Sequence, residues 1–116
     1  MPELPDVHNE FIRAEIEEYI LDENEQRHIV QMYAKTSPQM QDIAATIIDG
    51  DNLLSDELTK KALDGGVEAI QIMDDGLIAG MAIVGIKFRE NFIFVPEVLA
   101  CARAMKAGMA HIEPIL

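Results

Sequence analysis

Few residues in this chain have the types and spacing that chemistry needs. Glu25-Gln26-Arg27-His28 has the Glu-x-x-His spacing by which a helix offers ligands to a carboxylate di-iron site. Such a site takes two of these motifs and two further Glu, and no Glu stands three residues before His8 or His111. Zinc fares no better, since no two His lie four apart and no Cys lies near a His. Cys101 is the only cysteine, which excludes an intrachain disulfide and a thiolate cluster. In its Ala-rich surroundings it reads as a small buried core residue. No Gly-rich phosphate loop follows a strand, because no strand is expected. The side chains therefore assemble no catalytic set and no metal site, and the chain reads as non-catalytic on its own.

The elements that would position any site are helical. The 116 residues suit one domain, long enough to bury a core. Hydrophobic residues make up 49 % of the chain but aromatics only 5 %, and Trp is absent. Such an aliphatic core favours packed helices over a sandwich. Ile12, Ile16, Tyr19 and Ile20, then Ile29, Val30 and Tyr33, recur at helical spacing, so residues 6–35 hold one long or two short helices. Ser37-Pro38 is a helix start, with Met40, Ile43, Ala44, Ile47 and Ile48 on one face. Gly50-Asp51 should end that helix and cap the next. Leu54, Leu58 and Ala62 follow, and Gly65-Gly66 should stop the run.

Ile70, Met73, Leu77, Met81, Val84 and Phe88 predict a helix buried along that stripe. Gly76 and Gly80 within it, one turn apart, imply either close approach of another helix or room for something bulky; Gly85 is the third glycine of that helix. Pro96 opens a last helix with Val95, Val98, Leu99, Ala102, Met105, Met109 and Ile112 as its apolar positions. The expected fold is all-α, a bundle of five to six helices without a sheet.

The net charge is −12, and residues 1–25 carry nine acids against Arg13 alone. That balance argues against nucleic acid or an anionic membrane as partner. It fits a solvated face or a docking face for a basic partner. The first ten residues lack the apolar run of a signal peptide, and no window approaches 18 uncharged apolar residues. A cytoplasmic protein with no membrane span is the expectation.

Residues 74–114 carry a longer pattern: Asp75-Gly76-Leu77, Gly80-Met81, Val84-Gly85, Phe88, Val95-Pro96-Glu97-Val98 and Ala104-Met105-Lys106-Ala107-Gly108. This resembles the helical cap domain of corrinoid (cobalamin-binding) methyl-transfer proteins, as in cobalamin-dependent methionine synthase and the methanol and methylamine systems. Gly50-Asp51 and Ala62 through Val67 also fit, so the likeness covers roughly residues 40–116. Ala69 and Val95 depart from the family's usual Pro and Leu. The resemblance implies a division into an N-terminal helical extension, residues 1–36, and a cap, residues 37–116.

It further implies that the bundle covers the upper face of a cobalamin. The family's contact residues are a Phe and two apolar residues seven and ten positions later, which here are Phe88, Val95 and Val98. On spacing alone all three read as core. A light-sensing branch of the family carries Trp at the Phe88 position and a Glu-His pair where this chain has Val98 and Leu99, so the apolar set points to methyl transfer. The implied partners are methyltransferase subunits and a Rossmann-like corrinoid-binding domain, which supplies the lower ligand through Asp-x-His-x-x-Gly. Asp6-Val7-His8-Asn9-Glu10-Phe11 begins like that motif but lacks its Gly and precedes the cap. Tight corrinoid binding by this chain alone is therefore not expected. The alternative is a free-standing helical interaction module that docks on a partner or self-associates as a homo-oligomer.

Overall fold

Every helix start but one carries the side-chain signal that chain chemistry asks for. In the computed structural model, which describes residues 7–116, α1 (Glu10–Tyr19) is capped by Asn9, whose Oδ1 accepts the Ile12 amide at 3.0 Å. Asp22 caps α2 (Glu23–Ala34) in the same way. The acidic stretch after Ile20 thus separates two helices rather than bending one. Ser37 caps α3 (Pro38–Asp49), with Pro38 in the first turn where its missing N–H costs nothing. Gly50 then adopts φ 72°, a left-handed stop that a side chain would strain. Asp51 caps α4 (Asn52–Asp64), which ends at Gly65-Gly66. The fifth helix, α5 (Ala69–Arg89), has no capping side chain at Glu68. At α6 (Val95–Ile112), Glu97 reaches back to accept the Phe94 amide at 2.7 Å. The described residues form six helices and no strand, an all-α bundle.

The middle of the bundle is α3, which touches α1, α4, α5 and α6. Its face Met40, Ile43, Ala44 and Ile47 is fully buried. Gly76 and Gly80 of α5 meet that face, and a Cβ on Gly80 would stand 2.7 Å from both the Ala44 carbonyl oxygen and Ile47 Cβ. The two glycines are there for backbone approach, the first of the two alternatives their spacing offered. α4 and α6 pack along their length. The Ser55 hydroxyl donates to the Ala104 carbonyl at 2.7 Å, and Gly108 makes room for Leu77.

The expected core stripes of the last two helices need correction. Ile70 and Phe88 are exposed, and α5 buries Ile72, Gly76, Ala79, Gly80 and Ile83 instead, with Leu77 and Val84 shared between the two faces. Likewise α6 buries Cys101, Ala104 and Gly108 beside the expected Ile112, while Val95, Leu99 and Ala102 face out. Two causes act together. Small residues sit where helices touch closely, so the bulky positions do not mark the contact. The segment Ile72–Ile78 is also π-helical, and its wider turn rotates the later residues relative to a regular 3.6 period.

By length and composition α5 alone among the described helices passes for a membrane span, at 21 residues and mean hydropathy 1.6. Half of its apolar window is buried in the bundle, and Asp74 and Asp75 lie within it. Packing accounts for the buried half of its apolar residues and leaves the other half facing out.

Tyr33 is fully buried, and its hydroxyl donates to the Ala79 carbonyl at 2.7 Å, just past the π-helical segment. Burial pushes its phenol well above the ordinary range. An unfolded Tyr ionises near pH ~10, so this contribution to stability is complete below that pH and is lost as pH rises toward the raised native value. Tyr33→Phe should cost about 1 kcal/mol at neutral pH and flatten the alkaline decline in melting temperature between about pH 9 and 11.

Candidate functional site

The α5–α6 corner carries Phe88, Val95 and Val98. Two contacts fix how the helices run past each other. A Cβ on Gly108 would stand 2.7 Å from Leu77 Cδ2, and Val84 and Cys101 line one cavity of about 320 Å³. Seven residues up α5 match seven down α6, so the pair is antiparallel, and Phe88 falls level with Glu97 and Val98. Phe88 lies one turn beyond Val84, and Val98 three residues before Cys101, so both fall at the same end of the helix pair. Val95 is the first residue of α6.

None of the three is in the core. Phe88 is 46 % exposed, Val95 56 %, and Val98 half-buried. Around them lie further apolar side chains, some exposed and some packed by one edge against the core. Ile78 is exposed and Met81 and Ala82 half-buried on α5; Leu99 and Ala102 are exposed and Met105 half-buried on α6. Gly85 belongs to the same face, and a Cβ there would meet nothing within 4 Å. Unlike Gly76 and Gly80, it is not explained by packing within the chain. Each of the two helices thus has one apolar face in the bundle and a second turned outward. Leu99 and Ala102 stood in the same apolar series as Val95 and Val98. The first part of that series, Val95 to Ala102, holds the outward face, while its last member, Ile112, is core, and spacing alone cannot separate the two.

The corner is held from one side by α1 and α2. Lys87 Nζ lies 2.5 Å from Glu15 Oε1 of α1, with both side chains 10 % exposed, and 4.4 Å from the centre of the Tyr19 ring. Arg89 grips Glu25 of α2 through two bonds of 2.9 and 2.5 Å. The same pairing holds the Glu25 carboxyl below the usual range. Tyr19 meets Phe92 edge-on at 5.0 Å. Phe88 therefore sits between two residues anchored to the N-terminal helices.

The titratable groups noted in the sequence assemble no centre among the described residues, where no group of three His, Cys, Asp or Glu converges. Glu25 is engaged by Arg89, His28 is exposed, and His111 Nε2 pairs with Asp56 at 2.6 Å. Cys101 is buried, its Sγ donating to the Ile48 carbonyl at 3.6 Å, and burial pushes the thiol up, away from the reactive thiolate. Asp6 lies outside the described residues. The rest of its string runs into the start of α1, with Asn9 as the cap.

Residues 39–113 match the family model described as B12 binding domain. This chain belongs to that family. The matched residues run from α3 to the end of α6, and α1 and α2 lie outside them. Its relatives include a corrinoid protein of Desulfitobacterium hafniense, 36 % identical over 75 residues, covering 65 % of this chain and 35 % of that protein. Trimethylamine corrinoid protein 1 of Methanosarcina mazei is 41 % identical over 68 residues, covering 59 % and 32 %. Monomethylamine corrinoid protein 2 of Methanosarcina acetivorans is 42 % identical over 60 residues, covering 52 % and 28 %. The match thus spans about a third of the length of these relatives. No solved structure matches the chain. The B12 binding domain family is consistent with an outward apolar face that the bundle itself leaves uncovered.

Proposed function

We propose that this domain covers the upper face of a cobalamin held by a Rossmann-like domain, and that the pair works as a methyl carrier between methyltransferase partners in the cytoplasm. The observation that carries the reading is the outward face of α5 and α6, with Phe88, Val95 and Val98 at its corner and a side-chain-free position at Gly85. The names of the relatives, corrinoid proteins for methylamines among them, support it.

The residues present fit such a cofactor. The face offers an aromatic ring, branched aliphatics and a flat glycine position, with no His or Cys to compete for cobalt, and the Glu97 carboxylate beside Val98 is engaged by the Phe94 amide. When bound, a corrinoid supplies the metal that carries the methyl group. The work of this chain is exclusion. Phe88, Val95 and Val98 keep water and oxygen from the upper face. The bundle contributes rigidity, since α1 and α2 hold Lys87 and Arg89 on either side of Phe88.

Affinity should come from the two domains together. Burial of an apolar side chain is worth about 1.5–3 kcal/mol before the cost of association, and a sub-micromolar constant needs more than about 8 kcal/mol. Titration of this chain alone with methylcobalamin should therefore give no sub-micromolar binding.

The decisive test mixes the chain with a separately produced Rossmann-like corrinoid domain loaded with methylcobalamin. Light should strip the methyl group more slowly in the mixture than in the corrinoid domain alone. Phe88→Ala should remove most of that protection. Because the ring is half exposed, the same change should cost this chain under about 1.5 kcal/mol, against about 3–5 for a buried Phe. Equal photolysis with and without the chain, or unfolding of the variant, would refute the assignment.

A further inference from the structure

On the opposite flank of α3, away from α5, lies a second recess that the proposed corrinoid face does not use. It has a volume of about 450 Å³ and is built only from the start of α1 and from α3 and α4. One wall is a single stripe of α3: Asp42, Ala45, Thr46 and Asp49, at i, i+3, i+4 and i+7. Small side chains occupy the middle of that stripe and carboxylates its ends. The rise of a helix sets those ends roughly 10 Å apart along the axis. Leu54 and Leu58 of α4, Asp51 at the head of that helix, and Phe11 of α1 complete the lining. Phe11 and Leu54 are each 39 % exposed.

The charge of this groove is unanswered. Asp42 accepts from Asn9 Nδ2 at 2.9 Å, and Asp51 from the Leu54 amide at 3.0 Å. Both bonds come from neutral donors and leave the charge in place. No Lys or Arg pairs with Asp42, Asp49 or Asp51 among the described residues. Residues 1–6 add Glu3 and Asp6 and no base, and a second copy would bring its own net −12 to the same place. Like charges in register oppose both of those occupants.

We propose that this groove docks an amphipathic helix of a partner protein, with apolar side chains in the trough and Lys or Arg residues seven apart on Asp42 and Asp49. Helix-in-groove recognition reads apolar anchors at such spacings, and the acidic rim gives the approach its direction. An occupant here leaves Phe88, Val95 and Val98 free, so a partner can be held while the corrinoid-facing side is engaged. The proposal does not depend on the corrinoid reading and can fail without it.

The test uses the full chain and a short fluorescein-labelled synthetic helix with two Leu in the trough positions and two Lys seven residues apart. Anisotropy should show binding that weakens as salt is raised, and amide shifts in the NMR spectrum should concentrate on α3 and α4. The same peptide with Glu for both Lys should not bind. The exposed pair Asp42→Asn with Asp49→Asn should weaken binding about fivefold with an unchanged circular dichroism spectrum, and Ala45→Arg should abolish it. The idea is overturned if the Glu peptide binds as well as the Lys peptide. It is equally overturned if the double Asn variant binds as the parent does, if shifts fall on α5 and α6, or if the Lys peptide does not bind. Sedimentation showing a dimer that Leu58→Lys disrupts would assign the groove to a second copy instead and overturn it too.

Discussion

Glu15→Gln should destabilise the chain by about 3 kcal/mol, and adding Lys87→Met should return most of that loss. Lys87 and Glu15 meet at 2.5 Å with side chains only 10 % exposed, so both charges have left most of their water. Their mutual attraction and the Tyr19 ring 4.4 Å from Nζ are what compensate. Gln keeps the shape of Glu but leaves the ammonium buried without its counter-charge. Replacing the ammonium by a thioether of similar reach removes the desolvation cost along with the attraction, which is why the double variant should recover. Urea unfolding of the four proteins in the cycle reads the coupling directly. A single-variant loss below about 1 kcal/mol would mean that the pair behaves as an exposed one. Hydrogen exchange adds a second readout. Loss of the pair should speed exchange at the α5–α6 corner, because Lys87 adjoins Phe88 and α1 is what holds it.

That pair joins residues 72 apart, and nothing in the chain announces it, since a Lys on a helix reads as solvated until the fold places a carboxylate above it. What was legible lay in short-range chemistry. Asn, Ser and Asp caps and the left-handed Gly50 act within a few residues, so the helix starts at Ser37 and Asp51 and the stop at Gly50 could be read directly. Apolar recurrence and the turn residues together implied five or six helices, and the cap at Asp22 is what divides residues 6–35 into two. The phase of the buried faces on α5 and α6 did not follow, because both helices are apolar on two sides. Periodicity finds an apolar stripe but not what covers it. The small residues Gly76, Gly80, Ala104 and Gly108 mark the bundle contacts, while Phe88, Val95 and Leu99 mark the open face. A resemblance covering many fixed offsets named Phe88, Val95 and Val98; their own spacing read them as core, and that reading is what their exposure corrects.

The glycines of α5 give the sharpest separation of packing from surface. Gly80→Ala would set a methyl 2.7 Å from the Ala44 carbonyl oxygen, a backbone atom that cannot swing aside. Overpacking of this kind costs about 2–3 kcal/mol, more than the ~1 kcal/mol that Ala gains over Gly within a helix. Thermal melts should drop accordingly. Gly85→Ala meets no atom, so it should gain up to about 1 kcal/mol. A chain that could be more stable with Ala at position 85 but has Gly there points to something outside itself that needs the space. Gly85→Leu sharpens the point. The isolated chain should fold as before, with an unchanged helical spectrum and a melting temperature no lower than the parent's. If the outward face of α5 and α6 lies on a corrinoid, the same variant should lose the slowing of methylcobalamin photolysis in the mixture with the corrinoid domain, since a Leu side chain would lift the face from the cofactor. Full protection by Gly85→Leu would show that nothing approaches this face closely, and the cap would then have to be sought elsewhere on the bundle.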